Sequence, residues 1–192
     1  AATDAMRKAF NDIDFHGKVV IGEGEMDEAP MLYIGEEIGT KKGKEIDIAV
    51  DPLEGTNMTA KGHNNAMSVL AAGPKNTLLH APECYMDKIA VGPGVFGVDL
   101  DNSVEDNIKA VAKSLKKPIE EVTVIILERE RHEKLVKEVR RIGARIFFIG
   151  DGDIAAAIAP ALSDSPVDIL LGIGAAPEGV IAAAAIKCLG GF

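Results

Sequence analysis

The stretch from Ile46 to Thr56, Ile-Asp-Ile-Ala-Val-Asp-Pro-Leu-Glu-Gly-Thr, limits the fold more than any other part of the chain. Its opening is apolar and β-branched and is long enough for one buried strand. The run closes on a carboxylate, Asp51. Pro52 then removes a backbone donor, which predicts that the strand ends there. Glu54 follows, then Gly55 and the hydroxyl of Thr56. Such a strand delivers two hard oxygen ligands, a pliable turn and a hydroxyl to one sheet edge. Hard oxygens suit Mg²⁺ and Mn²⁺. Backbone N–H groups in a Gly-Thr turn suit a phosphate oxygen.

The first half around this strand predicts a helix from Thr3 to Phe15, with Met6, Phe10 and Ile13 on one face and Thr3 as N-cap. A short strand is expected from Lys18 to Gly22, then a dense acidic loop, Glu23-Gly24-Glu25-Met26-Asp27-Glu28. Pro30 suits a helix start, with the helix running to about Ile38 and stopped by Gly39. Asn57 to Gly62 suggests a helical turn. Met67 to Ala72 and Thr77 to Leu79 read as an antiparallel pair joined through Gly73-Pro74-Lys75-Asn76, and Lys88 to Val91 as a further strand. This half reads as α+β with an antiparallel-rich sheet.

The second half alternates. Helices are expected over Ser103–Lys116, Arg131–Ile142, Asp153–Leu162 and Pro177–Leu189, and strands over Val122–Leu127, Arg145–Ile149 and Val167–Leu171. That rhythm predicts an α/β layer with a parallel or mixed sheet. The expected division is residues 1–98, carrying metal and phosphate ligands, and residues 99–192, contributing substrate-binding groups.

A net charge of −9 argues against a nucleic-acid partner, which would need a basic patch. It is compatible with phosphate esters, because a bound divalent cation reverses the local sign of an acidic site. No apolar run is long enough for a membrane span. Cys84 and Cys188 lack CxxC spacing and suggest free thiols in a reducing, cytoplasmic setting. The chain opens inside a predicted helix and stops directly after another, so further sequence is expected on both sides.

Glu23, Asp51, Glu54 and Glu178 are the candidate metal ligands, each at or just beyond a predicted strand end. Uncatalysed phosphate-ester hydrolysis is extremely slow, and a two-metal site can supply both a nucleophile and charge neutralisation. Asp51, Glu54 and Thr56 are the catalytic candidates, with Thr56 orienting water or touching phosphate and Gly55 admitting the backbone. Arg129 and Arg131 carry guanidinium forks suited to a second phosphate, although the residues alone favour a helix start paired with Glu128, Glu130 and Glu133. Tyr85 offers a ring and a hydroxyl to a sugar. Asp151 and Asp153 flank Gly152 and can accept from sugar hydroxyls, or Asp153 can cap the next helix. His132 reads as a surface histidine. The run Gly172-Ile173-Gly174-Ala175-Ala176-Pro177 reads as a turn between strand and helix. Pro177 replaces the third glycine of a dinucleotide-binding turn, so the turn more readily exposes Glu178 and N–H groups to metal and phosphate.

The Asp-Pro-Leu-Glu-Gly-Thr string resembles the metal-binding signature of the lithium-sensitive sugar and inositol phosphatases. Val20 to Leu32, Tyr85-Met86-Asp87-Lys88, Asp151-Gly152-Asp153 and Gly172 to Gly179 narrow the resemblance to class II fructose-1,6-bisphosphatases, over essentially the whole chain. The resemblance implies a layered sugar-phosphatase-like fold and a Mn²⁺- or Mg²⁺-dependent homo-oligomeric enzyme of gluconeogenesis. Its substrate would be fructose 1,6-bisphosphate, with sedoheptulose 1,7-bisphosphate a further one. Glu23, Asp51 and Glu178 match metal positions of that family, and Glu54, Gly55 and Thr56 its phosphate-contacting turn. The family's further aspartate motif lies upstream of the helix that opens this chain, and Asp4 does not match it. The alternatives are an inositol-monophosphatase-like phosphomonoesterase and a nucleotide-binding α/β module without hydrolase activity.

Overall fold

The computed structural model describes residues 1–24 and 31–192. The chain divides into two compact units, Ala1–Cys84 with Ala176–Ile181, and Tyr85–Ala175 with Ala182–Phe192.

The first unit holds a four-stranded mixed sheet. Its strands are β1 (His16–Ile21), β2 (Glu37–Ile38), β3 (Glu45–Glu54) and β4 (Met67–Pro74), in the order β2-β1-β3-β4. β1 and β3 are parallel, and the outer pairings are antiparallel. Helix α1 (Ala2–Asn11) places Phe10 against Phe15, ring edge to ring face at 6.1 Å, in a core with Val19, Leu32, Ile38, Ile48 and Val50. Ala1 occupies the N-cap position and no side chain caps the helix, so Thr3 is not the cap.

Three local expectations for this unit are corrected. Pro30 lies outside the described residues, but Met31 to Glu36 form no helix and Glu37–Ile38 is a strand. The segment runs alongside β1 instead, with Gly35 N–H donating to Val19 O and Val19 N–H to Glu36 O. The buried Glu36 carboxylate accepts from Arg7 Nε at 2.6 Å and from the Leu32 N–H. Thr77 to Leu79 make no strand either. β4 pairs with β3, and the N–H groups of Thr77 and Leu78 donate to the buried Asp47 carboxylate at 2.9 and 3.2 Å. Finally, β3 continues past Pro52. The register runs from Asp51 opposite Val69 to Glu54 opposite Met67, so β3 spends one more residue than β4. That bulge absorbs the proline, whose missing N–H leaves no gap in the ladder.

The second unit holds a four-stranded sheet of β5 (Tyr85–Val91), β6 (Thr123–Leu127), β7 (Arg145–Ile149) and β8 (Ile169–Ala175), in the order β5-β8-β6-β7. β5, grouped with the first half in the sequence reading, pairs antiparallel with β8 in this sheet. β8, β6 and β7 are mutually parallel where they pair. Alternate residues face opposite layers. Val124 and Ile126 join Ile108, Val111 and Val139, the inward residues of α3 (Val104–Leu115) and α4 (Glu133–Ile142). Ile125 and Leu170 join Ala156, Ala157, Ala182 and Ile186, from α5 (Asp153–Ile158) and α6 (Ala176–Leu189). A sheet covered on both faces explains the near-continuous apolar text of Val122–Leu127. Ser103 caps α3 as expected, its Oγ accepting from the Asp106 N–H at 3.1 Å.

The glycine run is corrected as well. Gly172 to Ala175 are strand residues paired with Lys88 to Tyr85, and α6 starts at once, so no dinucleotide-type turn exists there.

Candidate active site

In the first unit, the parallel pairing of β1 and β3 brings their carboxyl ends to one edge. Ile21 lies opposite Ala49 after a register shift in β1, and two residues on from each come Glu23 and Asp51. The two carboxylates feel each other. Partial burial and then the charge of Asp51 push the Glu23 carboxyl above its ordinary value. The Pro52 bulge has a second consequence. Val69 and Met67 lie two apart and share one face of β4, so their partners Asp51 and Glu54 share one face of β3. A regular strand would have put residues three apart on opposite faces. Asp51 Oδ1 accepts from the Leu53 N–H at 2.9 Å, and Ser68 Oγ donates to Pro52 O at 2.6 Å, fixing the bulge.

Glu54 is buried and Thr56 exposed. Between them, Gly55 adopts φ 85°, a left-handed conformation, and a side chain there would collide with Met58. Thr56 opens the short helix α2 (Thr56–Ala60). Glu178 stands in the first turn of α6, also within the first unit. Among the described residues, no group of three or more His, Cys, Asp or Glu side chains is arranged to hold a metal ion by itself. What fits a hard cation is the donor chemistry of the Glu23–Asp51 pair, two carboxylates whose mutual repulsion a divalent ion would relieve. Glu25, Asp27 and Glu28 of the acidic loop lie outside the described residues.

In the second unit, the remaining candidates surround the carboxyl ends of β6, β7 and β8. Arg131 Nε and Nη2 both donate to Ile173 O, at 3.0 and 2.8 Å, and its guanidinium lies 4.9 Å from the centre of the Tyr85 ring. Tyr85 is 67% exposed, a face open to a ligand. Arg129 Nη1 donates to the carbonyls of Glu128 and Gly150, each at 2.8 Å, and Nη2 approaches Asp151 Oδ1 at 3.6 Å. The expected pairing of the two arginines with neighbouring glutamates is replaced by backbone carbonyls. Asp153 does not cap its helix; Gly152 holds that position. Asp153 is buried and accepts from Lys88 Nζ at 2.7 Å through Oδ2, while Oδ1 has no hydrogen-bond partner. A side chain at Gly174 would strike Asp153 Oδ2, so the glycine makes room for this ion pair.

Lys88 and His132 are the residues that sequence reasoning missed. His132 is 2% exposed, not a surface residue; its Nδ1 lies 2.6 Å from Leu127 O, and Nε2 accepts from the Ile173 N–H at 2.8 Å. Its place directly after Arg131 was the available signal.

The whole chain, residues 1–192, matches the model of the bacterial, glpX-encoded fructose-1,6-bisphosphatases. The chain belongs to this family. It is 53% identical over 192 residues to fructose-1,6-bisphosphatase 1 class 2 of Escherichia coli K12, covering all of this chain and 57% of that protein. It is 50% identical over 192 residues to the class 2 enzyme of Haemophilus influenzae, covering all of this chain and 58% of the relative. A Synechocystis protein named D-fructose 1,6-bisphosphatase class 2/sedoheptulose 1,7-bisphosphatase is 50% identical over 203 aligned positions, spanning 99% of this chain and 59% of the relative. The chain therefore spans somewhat more than half the length of these fructose-1,6-bisphosphatase relatives. Among the described residues, no helix is long and apolar enough to cross a membrane.

Proposed function

We propose that the protein carrying this chain is a divalent-cation-dependent sugar bisphosphatase that releases the 1-phosphate of fructose 1,6-bisphosphate, leaving fructose 6-phosphate, as gluconeogenesis requires. Sedoheptulose 1,7-bisphosphate is proposed as a second substrate, as the name of the Synechocystis relative suggests. The observation that carries the reading is the electrostatically coupled pair of carboxylates, Glu23 and Asp51, at the carboxyl ends of β1 and β3 in a chain of this family.

Glu23, Asp51, Glu54 and Glu178 would hold Mn²⁺ or Mg²⁺. Bound there, the cation supplies an activated water at neutral pH and neutralises charge on the phosphoryl oxygens. Asp51 and Glu54 contribute from one face of β3, Thr56 orients water or phosphate, and Gly55 lets the backbone approach. Arg129 and Arg131 bind the phosphate that is retained. Tyr85, Asp151 and Asp153 contact the sugar. Hydrolysis consumes one water, breaks one P–O bond and leaves a sugar hydroxyl and inorganic phosphate. The exposed free thiols Cys84 and Cys188 favour a cytoplasmic protein, and we propose that it works as a homo-oligomer.

Phosphate release by the full-length protein tests this reading, with both sugar bisphosphates and inositol monophosphate offered in Mn²⁺, Mg²⁺ or chelator. Hydrolysis of the bisphosphates that chelator abolishes is expected. Hydrolysis of inositol monophosphate alone, or turnover unaffected by chelator, would reject it.

A further inference from the structure

We infer that His132 is a positioning residue for Arg131, acting through Ile173, and that it thereby sets the affinity for the anionic part of the substrate. The inference rests on the proposed role of Arg131 in binding that group.

β6 and β8 pair only through Val124 with Ile169 and Ile125 with Leu170. Beyond Leu170 the two strands part, although β6 runs to Leu127 and β8 to Ala175. The facing backbone groups then need other partners, because an unmet buried N–H or C=O is costly. His132 spans the gap. Nε2 accepts from the Ile173 N–H, so Nδ1 must carry the proton and donate to Leu127 O. Both ring nitrogens are thus occupied by backbone and the ring is buried, which leaves it no atom for acid–base chemistry or for a ligand. Gly172 admits the ring: a Cβ there would sit 3.2 Å from two of its atoms.

The next residue back in sequence takes the other polar group of Ile173. Arg131 chelates its carbonyl through Nε and Nη2, which fixes the guanidinium plane over Tyr85 and leaves the Nη1 amino group for a ligand. Ile173 is held by consecutive side chains, His132 on its N–H and Arg131 on its C=O. Without the imidazole, Ile173 loses one anchor and the carbonyl that orients Arg131 becomes free to turn.

The test uses the full-length protein and two variants. His132→Leu removes both hydrogen bonds, and His132→Gln keeps one donor and one acceptor on a similar arm. For His132→Leu, KM for fructose 1,6-bisphosphate is expected to rise about tenfold with kcat within about threefold, the signature of lost binding shared by ground and transition states. His132→Gln should recover part of that loss. In an Arg131→Ala background, neither substitution should raise KM further. A second readout needs no substrate: exchange of the Arg131 Nε–H with water, followed by NMR, should quicken in His132→Leu and less in His132→Gln. An unchanged KM, a KM effect that persists without Arg131, or unaltered Nε–H exchange would overturn the inference. If His132→Leu does not fold, His132→Asn, whose shorter arm cannot span both backbone groups, takes its place in the same measurements. A wild-type protein inert toward both bisphosphates would instead overturn the proposed function, with the exchange experiment still judging the role of His132.

Discussion

The carboxyl edges of the two sheets solve opposite problems. At the edge of β1 and β3, Glu23 and Asp51 come together as like charges, and Glu23 is harder to ionise, first through partial burial and then through the charge of Asp51. At the edge of β6 and β8, most charge and backbone groups are already matched, with Asp153 Oδ1 the exception: Lys88 with Asp153 Oδ2, Arg131 with Ile173 O, His132 with Leu127 O and Ile173 N–H. The first edge pays an electrostatic cost that a divalent cation would relieve. The second is organised largely by the protein's own pairings. The contrast teaches that preorganisation need not be uniform. A binding surface for a fixed anionic group benefits from rigid donors, whereas a cation site keeps its repulsion until the ion arrives.

The sharpest way to break this comparison is Asp51→Asn in the full-length protein. Turnover should fall by roughly a hundredfold or more, as expected when a metal-holding carboxylate is lost. The melting temperature in chelator should hold or rise slightly, since a repulsion has been removed. A large loss of stability without metal would mean that Asp51 is structural. At the other edge the effect should reverse. Lys88→Met leaves the buried Asp153 carboxylate uncompensated and should cost roughly 3–5 kcal/mol in urea unfolding, with Asp153→Asn in the same chain restoring part of it. A negligible loss would show that the Lys88–Asp153 pair does not hold this edge together.

Smaller effects calibrate the second unit. Ser103→Ala removes the cap of α3 and should cost about 1 kcal/mol by the same assay. Glu105, on α3, is held down to about 2 by hydrogen bonds from Lys109 and Arg141 and then by their charges. Its folded value is depressed, so its stabilisation is whole above the ordinary 4.5 and is lost as pH falls through about 2. These groups are exposed, so the effect is small and screened by salt. The difference in melting temperature between wild type and Glu105→Gln should shrink on acidification and in high salt. A difference independent of both would exclude the ion pairs as its cause.

The sequence made the second unit far easier to read than the first. Val122–Leu127 and the Ser103-capped helix carry strong periodicity, because a sheet buried on both faces and an amphipathic helix leave unambiguous patterns. Residues 31–38 and Thr77–Leu79 misled for a different reason. Their shape is set by buried carboxylates, Glu36 and Asp47, that collect backbone N–H groups from distant or irregular segments. Pro52 was read as a strand end because a lone proline says nothing about a bulge, whose existence depends on the register of β4. The candidate site residues followed the same rule. Glu23 and Asp51 were legible as strand-end carboxylates. His132 was not, since its burial follows from the parting of β6 and β8, a feature of sheet topology. The glycines at 172 and 174 resembled a turn because strands seldom carry them; they are there for the imidazole and the Lys88–Asp153 pair.

Mn²⁺ binding to the full-length protein, measured by calorimetry without substrate, tests the account most directly. Glu23→Gln and Asp51→Asn should each weaken binding by about tenfold or more, while Lys88→Met and Arg131→Ala leave it unchanged. Mn²⁺ affinity indifferent to both carboxylate substitutions would contradict the assignment of the cation to the β1–β3 edge.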